Sequence, residues 1–234
     1  MENTNFNRYL RQIAIKEIGE EGQRKICNSK VFIIGCGALG SMVAMQLAGA
    51  GVGTIGIADF DTIDETNLQR QLFFNEDDNG KNKADILEKR IREINSHVLI
   101  NKFPNFITNK VAKSIFSQFE VIVDATDNPS SKYVTDTICG QLNIPCVIGG
   151  VSGFKGQVTT LLPESTRYSE LFNDAEENGF LPCSLDGVIG PSAVTCASIQ
   201  SMEVIKLIIG VGEVLNNKLL TFNLLDYQFR IYNY

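Results

Sequence analysis

Gly35, Gly37 and Gly40, in the run KVFIIGCGALG from Lys30 to Gly40, stand at the spacing G-x-G-x-x-G. A buried strand that breaks into such a turn and then a helix, opening here at Ala38, sets backbone N–H groups against a phosphate. Asp59 ends the next apolar run about 20 residues further on, where an acidic side chain takes a ribose hydroxyl. The glycines alone serve a tight helix-to-sheet contact equally well, and they do not say which nucleotide would bind.

Three later segments bear on that choice. In ADFDTIDETNLQRQ, Ala58 to Gln71, the carboxylates Asp59 and Asp61 precede Asn67, Gln69, Arg70 and Gln71. Arg70 can fork two donors onto phosphate oxygens, with Asn67 and Gln71 orienting it or the ligand. The alternative is a solvated loop, against which Leu68, Leu72, Phe73 and Phe74 argue by drawing the segment to the core. Lys83 falls in the first turn of a helix, where a cation opposes the helix dipole; either an anionic partner or solvation accounts for it.

In EVIVDATDN a buried strand releases Asp124 and Asp127 at its carboxyl end, where open α/β sheets bind ligands. Carboxylates beside phosphates call for an intervening cation, which points to Mg2+ at Asp127. Asp127 or Asn128 also suits a helix N-cap with Pro129 in the first turn. Together with Arg70 and Lys83, this set fits a triphosphate better than a nicotinamide dinucleotide. The one histidine, His97, sits at a helix-strand junction away from these ends and offers no proton relay for hydride transfer. An NAD-dependent oxidoreductase would need only the glycine loop and Asp59.

The elements that must position these residues follow an α/β order. Strand-like runs at Lys30–Ile34, Thr54–Ala58, Val98–Phe103, Glu120–Asp124 and Pro145–Gly149 alternate with helix-period segments at Ala38–Ala50 and Lys83–Asn95. The expectation is a Rossmann-like, doubly wound, mostly parallel sheet covered on both faces. Asn7–Lys25 reads as two short amphipathic helices parted near Gly19. GQVTTLLP reads as a strand and ESTRYSELFNDAEENGFLP as a mobile crossover loop. A long helix follows Pro191, and KLLTFNLLDYQFRIYNY supplies two antiparallel C-terminal strands. One domain over 1–234 results: a helical arm at 1–28, a nucleotide-binding core at 29–155, and the loop, long helix and last strands at 156–234.

The 234 residues carry 21 Lys+Arg against 27 Asp+Glu and no basic run, which excludes a phosphate-tracking nucleic-acid surface and makes any phosphate site local. The polar start MENTNFNRYLRQ lacks the apolar stretch of a signal peptide, and Gln200, Glu203 and Lys206 interrupt the most apolar segment, so neither secretion nor a membrane partner is expected. A cytoplasmic location follows. The six cysteines include no C-x-x-C and read as thiols, mostly core filler. Cys183 differs by lying in the Pro/Gly-flanked LPCSLDGVIGP.

The ordered motifs RYLRQI, GCGALG, DFDTIDETNLQRQ, GKNKA, DATDN, PCSLDGVIGP and SIQSMEVIKLIIG resemble the ubiquitin-activating-enzyme-like adenylyltransferases of the ThiF/MoeB/HesA group, nearly end to end. The thiamine-biosynthesis branch is the expected affiliation. The resemblance implies attack by the C-terminal glycine carboxylate of a ubiquitin-like sulfur carrier, of ThiS or MoaD type, on the α-phosphate of Mg·ATP. It implies phosphate approach by the glycine loop through Gly37 and Ala38, ribose contact at Asp59, and triphosphate contact at Asn67, Arg70 and Lys83; Gly35, Gly40, Asp61 and Gln71 complete the expected ATP-binding set. It puts Asp127 at the metal with Asn128 adjacent. Arg11 would reach the ATP of a partner subunit in a homodimer. Cys183 matches a cysteine that in one branch links covalently to the carrier, a role left even with a structural one. Two features depart from the group: no C-x-x-C pair for zinc, hence no zinc expected, and Lys132 where an arginine is usual. A rhodanese-like extension is absent as well, so a separate sulfur donor protein is expected. A non-catalytic carrier-docking subunit is the reading from another class.

Overall fold

The computed structural model describes residues 6–105, 109–172 and 187–234. Among these, the strands are β1 (Lys30–Ile34), β2 (Thr54–Ala58), β3 (Leu99–Phe103), β4 (Val121–Asp124), β5 (Cys146–Ser152), β6 (Lys155–Leu161), β7 (Lys218–Asn223) and β8 (Gln228–Asn233). They form one sheet in the order β3-β2-β1-β4-β5-β6-β7-β8. The first five pair in parallel, and β6, β7 and β8 add on antiparallel. The expected architecture is borne out.

Strand alternation divides the core. Val31 and Ile33 of β1 and Val121 and Val123 of β4 enter a cluster with α3 (Ala38–Ala50), α4 (Lys83–Ile94) and the long helix Gly190–Ile209. Phe32 and Ile122, pointing the other way, enter a second cluster with α5 (Asn109–Phe116) and α6 (Pro129–Leu142). A period of two in strands buried on both faces dictates this split.

The N-terminal arm holds a 3-10 turn (Phe6–Tyr9), α1 (Leu10–Ile13) and α2 (Gly19–Asn28). Tyr9 anchors it: the side chain is buried, and its hydroxyl accepts from Asn95 Nδ2 at 2.8 Å. The crossover start, read from sequence as a mobile loop, is instead held down through Phe172. Arg167 Nη1 lies 3.2 Å from Asp136 Oδ1, and Tyr168, in the short helix α7 (Tyr168–Leu171), is buried against Tyr133 and Phe172. Residues 173–186 of that segment, with Cys183, lie outside the described residues. The Gly190–Ile209 helix, α8, is the one described helix apolar and long enough to cross a membrane by length and composition. Half of that stretch is buried in the fold, where Gln200 and Glu203 take internal partners.

Several sequence readings need adjustment, among them the starts of β4, at Val121 rather than Glu120, and of β5, at Cys146 rather than Pro145. α5 was not anticipated, because only eight residues carry its period. β3 starts at Leu99 rather than Val98, and β5 runs on to Ser152, since antiparallel pairing with β6 extends it past the parallel core.

Candidate functional site

β1 has β2 on one side and β4 on the other, so consecutive crossovers leave in opposite directions and open a crevice at the carboxyl ends of these strands. The cleft there has a volume of about 740 Å3. Its lining includes Gly35, Gly37, Ala38, Asp59, Asp61, Asn67, Arg70, Gln71, Lys83, Asp127 and Asn128. Residues scattered over some ninety positions of chain thus converge on one crevice.

At the glycine turn, Gly35 adopts φ +88°, which L side chains avoid, while its N–H donates to Ala58 O at 2.8 Å. A Cβ on Gly40 would fall 1.8 Å from Gly35 O, so glycine is required there for the turn to lie against α3. Gly40 packs on the turn's inner side and is not among the residues that line the cleft. Gly37 caps α3 with no side-chain bond, leaving the first N–H groups of that helix directed at the cleft.

Asp59 Oδ2 accepts from Cys36 N at 2.7 Å and Oδ1 from Asp61 N at 2.9 Å. Burial nevertheless pushes its carboxyl up from the usual range, the two N–H donors and Lys83 opposing that shift. Asn82 caps α4, accepting from Ala84 N and Asp85 N. This sends Lys83 inward, its side chain 9% exposed and its Nζ 3.0 Å from Asp61 Oδ2. The solvated alternative for Lys83 is thereby removed.

Arg70 donates through Nη1 to Thr66 O at 2.9 Å and has no carboxylate partner among the described residues. Asn67 Oδ1 and Gln71 Oε1 are buried with no hydrogen-bond partner. An orphaned buried amide oxygen costs roughly 1–3 kcal/mol. Gln71 is almost wholly buried, against a solvated loop.

The capping question at the end of β4 resolves onto Asn128, whose Oδ1 accepts from Ser131 N at 2.8 Å, with Pro129 in the first turn. Asp127 is exposed and has no hydrogen bond or ion pair among the described residues. Arg11 is exposed on α1 and does not line this cleft. Sequence reading missed the apolar wall of Ala112 and Phe116, together with Thr126, Gly150 and Val151, while Lys132, noted only as standing in place of the usual arginine, also lines the cleft. Ala112 and Phe116 are one helical turn apart in NKVAKSIF, a signal too short to weigh alone.

The topology and this crevice define a Rossmann-like α/β protein with a site suited to a phosphorylated ligand. The chain belongs to the ThiF family, whose model matches residues 9–234. It is 34% identical over 232 residues to the SAMP-activating enzyme E1 of Haloferax volcanii, covering 99% of this chain and 86% of that protein. It is 35% identical over 213 residues to the Escherichia coli sulfur carrier protein ThiS adenylyltransferase, covering 90% and 84%. Against the probable adenylyltransferase/sulfurtransferase MoeZ of Mycobacterium tuberculosis the identity is 34% over 95% of this chain, which spans only 58% of that protein. Among solved structures, E. coli MccB with AMPCPP and MccA superposes with TM-score 0.84 at 26% identity, over 98% of this chain and 72% of that one. These relatives carry adenylyltransferase and activating-enzyme names, in line with a nucleotidyltransferase.

Proposed function

We propose that the chain adenylylates the C-terminal glycine of a small ubiquitin-like sulfur carrier, with a ThiS-type carrier as the main reading and a MoaD-type carrier as the alternative. A carboxylate oxygen of the carrier attacks the α-phosphorus of ATP; the new O–P bond forms as the α–β bridging P–O bond breaks, and pyrophosphate leaves. The single observation that carries this is the convergence of Arg70, Lys83, the open N-terminus of α3 and the unpaired Asp127 around one cleft. Adenylylation of a sulfur carrier is also what the name of the Escherichia coli relative describes.

In this reading the Gly35–Ala38 turn lies against the phosphates and Asp59 holds the ribose, with Asp61 releasing Lys83 as the anion arrives. Arg70 and Lys83 neutralise charge on the leaving pyrophosphate, while Asn67 and Gln71 orient the chain of phosphates. Fixed donors in a partly enclosed cleft need no reorganisation as charge develops, which is where the rate enhancement arises.

Asp127 is the one free carboxylate at the cleft, and no group of three metal-ligating side chains occurs among the described residues. That donor set fits Mg2+, which takes one or two carboxylates together with phosphate and water oxygens. When bound it would screen the phosphates as a Lewis acid. Arg11, exposed on the arm, is assigned to a partner subunit's cleft in a homodimer. The five described cysteines are free thiols, four of them buried, which suits a reducing cytoplasmic compartment.

The test is ATP–pyrophosphate exchange with purified ThiS-type and MoaD-type carriers, for wild type and Asp127→Ala. Carrier-dependent exchange with loss in Asp127→Ala supports the reading. Exchange with neither carrier would sink it, and exchange surviving Asp127→Ala removes the metal role.

A further inference from the structure

Lys132 sits on the first turn of α6, and its side chain runs back beneath the loop that joins β4 to that helix. Its Nζ donates to Asp124 Oδ1 at 3.2 Å, Thr126 O at 2.7 Å and Gly149 O at 2.8 Å. An ammonium has three N–H groups, and all three are spent. None is left for a ligand, although the residue lines the cleft. The three acceptors belong to three segments: a carboxylate oxygen at the end of β4, a backbone carbonyl in the turn after it, and a backbone carbonyl of β5.

The same turn is gathered from its other side. Asp124, fully buried, accepts through Oδ1 from Thr126 N at 3.0 Å and Thr126 Oγ1 at 2.7 Å. Gln200 Nε2 of α8 donates to Asp124 O at 3.0 Å. Beyond the turn, Asn128 caps α6. Asp127 is the one residue of this stretch without a bond of its own. Its place over the cleft is therefore inherited from its neighbours on either side.

We propose that Lys132 is the positioning residue for Asp127: by tying Asp124, Thr126 and Gly149 to one ammonium it fixes the turn that presents the Asp127 carboxylate to the cleft. This deepens the adenylylation reading and rests on it for the reaction that is measured. A buried Lys–Asp pair gains little stability over an apolar pair of like volume, so its presence under this one turn is better accounted for by placement than by fold energy. In this chain the three acceptors are arranged around an ammonium, although arginine is usual at this position in the family. Three diverging N–H groups meet acceptors from three segments, whereas the planar guanidinium of arginine spreads its donors in one plane.

The experiment uses the full chain with Lys132→Arg and Lys132→Met, each in the wild-type and Asp127→Ala backgrounds. Pyrophosphate exchange gives kcat and KM for ATP, thermal unfolding gives the folded fraction, and amide hydrogen exchange reports the protection of residues 124–131. The expected result for Lys132→Arg is a folded protein with kcat lowered about 100-fold, as a misplaced group of this kind produces, and KM for ATP within about twofold. No further loss is expected once Asp127 is alanine, since the lysine acts through it. Turn amides should exchange faster while those of β1 and α3 keep their protection.

Unchanged protection of the turn in Lys132→Arg overturns the proposal, as does an equal, additive loss in the Asp127→Ala background. A loss matched by the unfolded fraction overturns it too. If Lys132→Met does not fold, Lys132→Arg decides alone. If wild type exchanges with no carrier, the adenylylation reading fails, while the protection measurement still decides whether Lys132 holds the turn.

Discussion

Lys83 Nζ stands 3.0 Å from Asp61 Oδ2 across the edge of the cleft, the lysine side chain 9% exposed and the aspartate 53%. The cation is thus held inside by its fold environment and retained by a partner that faces water. An incoming polyanion can take over Lys83 while Asp61 returns to solvent. The expected outcomes differ for the two partners. Lys83→Met should lower carrier-dependent pyrophosphate exchange by about 100-fold or more, as loss of one preorganised charge-stabilising donor does. Asp61→Asn should cost about 1 kcal/mol in the unliganded chain, with ATP restoring more of the melting temperature than it adds to wild type. Pyrophosphate exchange checks the first, and thermal shift with and without ATP checks the second.

Asp59 supplies a pH signature. Its pKa is raised from 3.8, first by burial, so the folded chain keeps this proton at pH values where the unfolded chain has released it. Between 3.8 and the raised value the native state binds more protons, and this residue removes stability as the pH rises through that window. Asp59→Asn should flatten that fall in melting temperature. A pH series of thermal melts for the two proteins checks the slope. The same variant should weaken ATP binding, because the ribose loses its charged acceptor.

Gly40→Ala tests the turn itself. The new Cβ would meet Gly35 O at 1.8 Å and Gly35 C at 2.8 Å, both backbone atoms that cannot rotate away. A loss of about 3 kcal/mol in denaturant unfolding is expected, at the upper end for overpacking. The displaced Gly35–Gly37 loop should also bind ATP more weakly in equilibrium titration.

Arg167 and Asp136 clamp the start of the crossover segment onto α6. Arg167→Leu leaves Asp136, whose side chain is 2% exposed, without its cation, at an expected cost of about 3 kcal/mol near neutral pH. Burial already raises the Asp136 pKa and Arg167 opposes this, so its removal raises the value further. The variant then holds the proton to higher pH than the unfolded chain does, and its deficit should shrink as the pH falls through that raised value. Urea unfolding at two pH values checks the sign.

Much of the fold was legible along the chain because parallel strands buried on both faces are continuous apolar runs and their crossover helices repeat at 3.6 residues. Lys30–Ile34 and Thr54–Ala58 emerged with those bounds for that reason. The C-terminal end of β5 was less clear, since pairing with a neighbour rather than local composition sets where a strand stops. α5 escaped because eight residues supply barely two turns of pattern. For the site, residue type sufficed for Gly35, Asp59, Arg70 and Asp127. It could not distinguish Asp127 from Asn128 as the cap, as both are good caps and only the backbone direction at the helix start selects one.

By itself the sequence determined the alternation of elements, the glycine turn and the inventory of charges, all properties of local spacing and residue chemistry. Tertiary structure decided which charges are already spoken for. Lys83 and Lys132 are both lysines in the first turn of a helix, yet one faces the cleft with a single exposed partner and the other is saturated beneath it. The difference lies in which backbone carbonyls and carboxylates the sheet order brings within reach of each ammonium, and Lys132 meets both β4 and β5 because those strands lie side by side in the sheet.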